Sequence, residues 1–321
     1  MSTKFVLASL AAATMAIAFA AVPAVAAVAT PITECGQPLP ENGYLAQDLF
    51  CEKGFVLRPT LDPDEPITAH VDLRGHRLSG ISPAATSAFT VEGAAAPVHL
   101  TVSNGRIDNW GLAIAVGSAA FTATDIRADH NRQVLDCEGD CTISDSSLTA
   151  NTIGVTSHEA RLEMTRNAIS ANVVGVRTVG AVSSAYLSNN MFTSNDVGVD
   201  ITSESYVELT SNTFRQNDVG VTSHVPEEAG EVYFASLSRN TFVLNRDGIR
   251  LPAGQGGSQL EQNVAVRNSN YGFYAPGATD GGGNKAAANG RACVGVTCTR
   301  PSLRESPAFK EGSRRTPVAP S

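Results

Sequence analysis

Two glutamates and a tyrosine occupy one position of a recurring sequence pattern, and their chemistry suits a saccharide. Glu163, Tyr186 and Glu208 each lie four residues before a recurring asparagine. If each repeat is one coil of a solenoid, the two carboxylates are two coils apart, about 9.6 Å at the strand spacing. That separation is near the upper end of the range used by the acid and base of inverting glycosidases. The tyrosine between them could stack on a sugar ring. The alternative is a solvated sheet face, where every second residue is polar.

A second polar stripe follows a recurring Gly-Val pair. It consists of Thr156, Arg177, Asp200, Thr222, Arg250 and Tyr274. Arg177 and Asp200 fall one coil apart and could pair, an interaction that contributes under about 1 kcal/mol when exposed. The stripe is either a surface ladder or a sugar-binding strip. In the second interpretation, the substrate-binding candidates are Arg177, Asp200 and Arg250, together with Tyr186 of the first stripe.

Acidic residues at one corner position raise the question of a metal. Asp196 and Asp218 follow equivalent asparagines, so we expect them to stack about 4.8 Å apart. Like charges at that distance repel unless a cation such as Ca2+ sits between them, or unless water screens them. No other cofactor is expected. His158 and His224 share a coil position, but at three coils, about 14 Å, they are too far apart to bind one ion.

The elements that position these side chains follow from the repeat itself. The segment NNMFTSNDVGV, from Asn189 to Val199, returns as SNTFRQNDVGV and RNTFVLNRDGI with a period of about 22 residues. Phe192 and Val199 should point inward, and Gly198 should supply a tight corner. We expect the asparagines to occupy bends, where their amides bond to backbone groups and to the same amide one coil away. They are Asn167, Asn190, Asn212, Asn240 and Asn263 in one series, and Asn151, Asn172, Asn195, Asn217 and Asn245 in the other.

Each repeat holds three short apolar segments with alternating polarity, separated by Asn or Gly. About 22 residues at about 3.3 Å each make three strands and three corners per coil. The sequence therefore predicts an all-β fold, a right-handed parallel β-helix of about ten coils. A leucine-rich repeat fits less well, because leucine occurs once where that repeat needs three. The calcium-binding nonapeptide repeat is absent.

The remaining sequence predicts four regions and an exported protein. Residues 1–29 have a basic start, an apolar run and small residues, as in a signal peptide cleaved after Ala29 or Ala26; a retained membrane anchor is the alternative. Residues 30–66 would be an N-terminal lead-in, residues 67–298 the β-helix, and residues 299–321 a disordered basic tail. No later segment is long and apolar enough to span a membrane. We expect a secreted or envelope-associated protein.

Six cysteines in an exported chain favour disulfides. Proximity in sequence suggests three pairs, Cys35 with Cys51, Cys137 with Cys141, and Cys293 with Cys298. The connectivity stays open on sequence alone, and a metal site is the alternative, although paired C-x2-C spacing is missing. The net charge of −8 argues against nucleic acid as a partner.

The pattern N-x-F-x-x-N-x-x-G-V resembles the right-handed parallel β-helix repeat superfamily, whose members share a pectate-lyase-like fold. The stretches Cys35–Ile81 and Gly281–Cys298 resemble its exported bacterial branch. The resemblance implies the fold; the superfamily includes lyases, polysaccharide hydrolases, epimerases and members without known activity. The motifs G-x-S-x-G and H-E-x-x-H, a phosphate loop, and the paired-Asp and G-H-G signatures of polysaccharide-hydrolysing β-helices are all absent. The sequence thus favours a non-catalytic glycan-binding or envelope module over a carbohydrate-active enzyme that uses Glu163 and Glu208.

Overall fold

Three short strands recur in every turn of the chain, as the alternating polarity predicts. The computed structural model describes residues 29–58, 66–82, 86–92, 97–180, 183–202, 205–224, 234–252 and 257–301. The predicted signal peptide and most of the predicted tail lie outside the described residues. So does the inserted sequence VPEEAG at 225–230.

The described residues form 32 β-strands and no helix. In chain order they are β1 (Thr30–Ile32), β2 (Asn42–Leu45), β3 (Leu49–Cys51), β4 (Phe55–Leu57), β5 (Ile67–Asp72), β6 (Arg77–Gly80), β7 (Ser87–Val91), β8 (Val98–Asp108), β9 (Leu112–Ala115), β10 (Ala120–Asp129), β11 (Gln133–Cys137), β12 (Asp140–Ser144), β13 (Ser147–Thr149), β14 (Ile153–His158), β15 (Arg161–Thr165), β16 (Ala168–Ser170), β17 (Val174–Val179), β18 (Ser184–Ser188), β19 (Met191–Thr193), β20 (Val197–Thr202), β21 (Tyr206–Thr210), β22 (Thr213–Arg215), β23 (Val219–His224), β24 (Phe234–Ser238), β25 (Thr241–Val243), β26 (Asp247–Arg250), β27 (Gln259–Glu261), β28 (Val264–Val266), β29 (Tyr271–Tyr274), β30 (Thr279–Gly282), β31 (Lys285–Ala287) and β32 (Arg291–Val294). Within the described residues, no helix is long and apolar enough to cross a membrane.

The strands stack in parallel into three faces of a solenoid. The first sheet contains β5, β12, β15, β18, β21, β24 and their stacked equivalents, and the second contains β6, β13, β16, β19, β22 and theirs. The long strands β8 and β10 run through the corner and join these two sheets. The third sheet has 11 strands, from β4 to β32. Ten of them lie between residues 67 and 298, so the predicted all-β parallel solenoid and its coil number are confirmed.

The interior is built from buried side chains that stack on their equivalents in successive coils. Phe192, Phe214 and Phe242 stack on consecutive coils, with ring centroids 4.7 and 4.8 Å apart and planes 6° from parallel. All three rings are fully buried. Identical residues on successive coils therefore meet at the strand spacing, where aromatic stacking adds about 0.5–1.5 kcal/mol per pair beyond area burial. This explains how a chain with only 6% aromatic residues builds a continuous core.

The repeated asparagines form two buried ladders along the corners on either side of the second sheet. In the first ladder, the Oδ1 of Asn212 accepts hydrogen bonds from the backbone N–H of Asn190 at 2.9 Å and from its side-chain amide at 3.1 Å. The amide of Asn212 donates to the carbonyl of Leu187 at 2.7 Å and to Oδ1 of Asn240 at 3.1 Å. Asn195 and Asn217 repeat the arrangement in the second ladder. The ladders satisfy corner backbone groups that no strand partner reaches.

A left-handed residue precedes each ladder asparagine and makes the bend. Asn189 has φ 56° before Asn190, and Ser194 has φ 55° before Asn195. This conformation costs most L-residues about 1–2 kcal/mol. Because it recurs at every coil, the hydrogen bonds of the adjacent asparagine must offset it.

The recurring glycines do not make corners, and the expectation for Gly198 was wrong. Gly198 lies inside β20 without a positive φ. A Cβ built on it would meet the carbonyl oxygen of Gly220 at 2.5 Å and a ring carbon of Phe214 at 2.9 Å. Glycine is required here because the next coil's backbone and its stacked phenylalanine approach too closely for any side chain.

All three disulfides suggested by proximity in sequence are present: Cys35–Cys51, Cys137–Cys141 and Cys293–Cys298. The first disulfide joins the loop before β2 to β3. The coil of β2 and β3 stacks directly on the coil of β5 and β6. The last joins β32 to the segment that follows it. They tie down the first and last coils of the solenoid, where a neighbouring coil is missing on one side.

Candidate functional site

The first stripe lies on the outward face of the first sheet, as its frame predicts. Glu163 pairs in register with Tyr186, and Tyr186 with Glu208, so the three occupy consecutive coils in one row. All three line a shallow depression of about 280 Å³. The structure therefore brings together the two carboxylates and the tyrosine that the sequence singled out.

Arg161, which sequence reasoning did not single out, organises this depression. Its guanidinium donates to Glu163 Oε1 through Nη2 at 2.5 Å and through Nε at 3.1 Å. The same group lies 4.5 Å from the ring centroid of Tyr186. The ion pair raises the pKa of Arg161, chiefly through the hydrogen bond to Glu163. The carboxylate of Glu163 is thus already engaged by a cation. Among the described residues, the partner of Glu208 is the phenol of Tyr206, 3.5 Å away.

Two further aromatic residues extend the tyrosine into a strip. The ring of Tyr206 lies 5.8 Å from that of Tyr186 and 5.5 Å from that of Phe234, with which it is stacked at 5°. Phe234 is 40% exposed. We call Tyr186, Tyr206 and Phe234 the aromatic strip. Burial, and then the charge of Glu208, raise the pKa of Tyr206, which keeps its hydroxyl protonated as a donor.

The sequence contains a signal for this strip in the second outward row of the same strands. Tyr206 and Phe234 open β21 and β24 and pair with each other in register. The stripe of Glu163 follows one outward row of each strand, whereas these two aromatic residues occupy the row two residues earlier. When both outward rows of these strands are considered, the sequence places Tyr206 and Phe234 near Tyr186.

The second stripe lies on the outward face of the third sheet, in the register its spacing predicts. Arg177 pairs with Asp200 across adjacent coils, with Nε 3.1 Å from Oδ2. The other oxygen of Asp200 lies 2.9 Å from Nδ1 of His224. Asp200 is only 5% exposed. The row continues on the next three coils with Thr222, Arg250 and Tyr274.

An arginine side chain binds one of the two aspartates that the sequence predicts as calcium ligands. Asp218 Oδ2 lies 3.1 Å from Nη1 of Arg246, which stands one coil further on at the same corner. The charge of Asp218 is therefore already balanced by a guanidinium from the coil beyond it. Among the described residues, no group of three or more His, Cys, Asp or Glu side chains is arranged to hold a metal ion. His158 and His224 do share one column, three coils apart.

The second sheet carries an ion ladder that sequence reasoning missed. Arg77, Arg106 and Arg127 stack on consecutive coils beside the buried carboxylates of Asp108 and Asp129. Nε of Arg77 and Nε of Arg106 each lie 2.7 Å from Asp108 Oδ2. Arg106 Nη2 and Arg127 Nε lie 2.6 and 2.8 Å from the two oxygens of Asp129. Three stacked cations are held together because two buried anions lie between them.

Replacing Asp129 with asparagine should lower the free energy of unfolding by about 2 kcal/mol at pH 7, because charge-assisted hydrogen bonds are lost. Burial opposes ionisation of Asp129, but hydrogen bonds from His130, Arg106 and Arg127 lower its pKa below the usual value. Since the folded-state pKa is depressed, its contribution is complete above about pH 4 and is lost as the pH falls through the folded pKa. Urea denaturation at pH 7 and pH 3 measures both effects.

The control for Asp129→Asn is Asp145→Asn, which breaks an ion pair with Arg166 on the solvent-exposed corner. It should change stability little, because exposed ion pairs are screened. Equal losses in the two variants, or a loss for Asp129→Asn that does not decrease between pH 7 and pH 3, would contradict the role assigned to the buried carboxylate.

The three-sheet parallel coil, its phenylalanine stack and its asparagine ladders define a class of protein. The chain is a parallel β-helix protein, as its repeat predicts. Residues 78–234, just under half of the chain, match the family model described as NosD, periplasmic copper-binding protein. No curated protein matches the chain.

Solved structures similar to this chain include catalytic domains of glycoside hydrolases. The catalytic domain of a GH87 alpha-1,3-glucanase in complex with tetrasaccharides is 12% identical with a TM-score of 0.46; the match covers 78% of this chain and 64% of that one. The Agl-KA catalytic domain is 11% identical with a TM-score of 0.43, covering 79% and 52%. This chain thus spans less than two thirds of each. At these low scores the likenesses carry no functional argument.

Proposed function

We propose that this protein is an extracytoplasmic glycan-binding β-helix that holds a saccharide against the aromatic strip on its first sheet. The observation that carries the proposal is the alignment of Tyr186, Tyr206 and Phe234 on three consecutive coils of an otherwise polar face. Exposed aromatic rings beside fixed polar groups are typical of ligand-binding surfaces. Arg161, Glu163 and Glu208 supply donors and acceptors for sugar hydroxyls at the edges of the strip.

The disulfides and the family match support an extracytoplasmic location. Three disulfides form and persist in oxidising compartments, which include the bacterial periplasm and the cell surface. The matching family is described as periplasmic. We therefore place the glycan-binding role in the periplasm, in the envelope or outside the cell. The net negative charge leaves nucleic acid an unfavourable partner.

Copper binding, which the family description names, does not fit the described residues of this chain. All six cysteines are in disulfides, so no thiolate is available. Met164 is buried in the core, Met191 is exposed, and no group of three or more His, Cys, Asp or Glu side chains in the described residues could hold a metal ion. Copper sites need several soft or imidazole ligands around one point. We derive no step through copper for this chain.

Replacing Tyr206 with alanine should weaken glycan binding at least about tenfold, because it removes the central platform of the strip. Phe234→Ala should have a smaller effect at the end of the strip. Affinity electrophoresis against a panel of soluble neutral polysaccharides, followed by calorimetry with the best ligand, measures the change. The matched control is Tyr44→Ala, which removes an aromatic residue at the far end of the same sheet, where it packs under Arg74.

An equal loss for Tyr44→Ala and Tyr206→Ala would argue against the strip. So would the absence of binding to every polysaccharide in the panel. Preserved secondary structure in each variant, measured by circular dichroism, distinguishes loss of binding from loss of the fold.

A second candidate function is saccharide cleavage, favoured by the placement of Glu163 and Glu208 on either side of Tyr186 in one depression. Their two-coil separation of about 9.6 Å suits an inverting hydrolase at the upper limit. A screen for reducing ends and for unsaturated products tests it with the purified protein. Cleavage that survives both Glu163→Gln and Glu208→Gln would exclude this pair as the catalytic residues.

A further inference from the structure

A pocket of about 450 Å³ opens on the outward face of the third sheet, away from the aromatic strip. Its lining includes Thr222, His224, Arg246, Arg250 and Tyr274. Thr222, Arg250 and Tyr274 stand in register on three consecutive coils, so they form one wall at the strand spacing. The volume is within the range of pockets that hold small ligands.

The carboxylates in and behind this pocket are already paired with cations. Asp218 is bound by Arg246 at 3.1 Å. Asp200 is bound by Arg177 at 3.1 Å and by His224 at 2.9 Å.

Arg250 differs from those arginines. Its side chain is exposed, and among the described residues it has no carboxylate partner. A guanidinium offers a planar set of N–H donors that fits an oxyanion with two parallel hydrogen bonds. Among the described residues that line the pocket, Arg250 is therefore a cation that remains available to an external oxyanion.

The ring of Tyr274 adds an apolar surface beside this cation. It lies one coil beyond Arg250 and packs 4.9 Å from Tyr271, which holds it in place. His224 also lines the pocket and is fixed by its bond to Asp200. A ligand whose oxyanion binds Arg250 could therefore place a small ring against Tyr274. Thr222 would then lie at the edge of that ring.

We propose that this pocket binds an acidic monosaccharide unit, with its carboxylate or ester oxyanion on Arg250 and its ring on Tyr274. This site is separate from the aromatic strip, so it can fail or stand independently of the proposed function. One competitor is encoded in the chain itself, since the segment 225–233 that follows His224 contains Glu227, Glu228 and Glu231. The test must therefore separate an external oxyanion from these carboxylates.

Calorimetric titration of the full-length mature protein with glucuronate, glucose 6-phosphate, inorganic phosphate and glucose tests the proposal. We expect both acidic sugars to bind and glucose not to bind. Inorganic phosphate should bind at least tenfold more weakly than glucose 6-phosphate, because it lacks the ring. Arg250→Gln should weaken binding of the acidic sugars at least tenfold, and Tyr274→Leu several-fold. The matched control Arg239→Gln changes another exposed arginine, at the corner between the first and second sheets, and should have no effect.

A variant with Glu227, Glu228 and Glu231 changed to glutamine is titrated in parallel. Equal or tighter binding by this variant supports an oxyanion site on Arg250, with the tighter case showing that the segment competes. No binding of either acidic sugar to either protein overturns the proposal. Binding that Arg250→Gln leaves unchanged, or glucose binding as tight as glucuronate, overturns it as well.

Discussion

The variant Asn212→Ala should unfold with a free energy lower by about 4 kcal/mol, the largest loss that we predict for a single substitution in this chain. Asn212 makes four side-chain hydrogen bonds, and it is 1% exposed. Removing it leaves the buried backbone N–H of Asn190 without its acceptor and the carbonyl of Leu187 without this donor. Each buried polar group left unsatisfied costs about 1–3 kcal/mol.

The control for Asn212→Ala is Asn189→Ala, which removes a neighbouring, exposed asparagine outside the ladder. Because Asn189 has a positive φ, its loss should still cost up to about 1 kcal/mol. Asn212→Asp provides a second test, since a carboxylate accepts but cannot donate to Leu187 or Asn240. Urea denaturation followed by far-ultraviolet circular dichroism measures all three. A ladder variant no less stable than Asn189→Ala would show that the amides are not essential to the coil.

The variant Gly198→Ala should lower the free energy of unfolding by about 3 kcal/mol, at the upper end of what overpacking usually costs. The added methyl group would lie 2.5 Å from the carbonyl oxygen of Gly220, a backbone atom that cannot rotate away. Relief would require separating two coils, which would disturb the adjoining hydrogen bonds of β20 and β23. The midpoint of thermal unfolding should fall accordingly.

The contrast with Gly117→Ala identifies the cause. Gly117 has φ 52° and open space around its Cα, so alanine there should cost only about 1 kcal/mol through its backbone conformation. If the glycines inside strands were corner residues, the two substitutions would have similar effects. A loss at Gly198 no greater than at Gly117 would contradict the close-approach explanation.

The fold could be predicted because the same short sequence pattern recurs in successive coils. The spacing of Phe192, Phe214 and Phe242 implies that they stack, and the solenoid places each ring against its copy. The pairing of Arg177 with Asp200 was predicted in the same way, from a single step of the repeat. The glycines were misinterpreted because the sequence shows that a side chain is excluded without showing which atom excludes it.

The outward surface could be predicted only in part. Tyr206 and Phe234 are separated by an insertion, and their contact depends on which row of the strand each occupies. The ion ladder from Arg77 to Asp129 lies in early coils whose sequences match the repeat pattern poorly. Equivalent positions in these coils could therefore not be assigned from the sequence. Among the described residues, Arg250 has no carboxylate partner because the nearby carboxylates are paired with other cations. Arg177 and His224 bind Asp200, and Arg246 binds Asp218.

By itself, the sequence determined the coil, its inward stacks and its asparagine ladders, because each of these joins residues at a constant offset along the chain. Proximity in sequence suggested the three disulfides, but their connectivity was decided by the structure. Only the tertiary structure decided which outward side chains form surfaces that could bind a ligand. Outward residues meet across adjacent coils without any requirement to resemble one another, so their contacts leave no periodic trace. The aromatic strip of Tyr186, Tyr206 and Phe234 and the pocket at Arg250 both arise in this way.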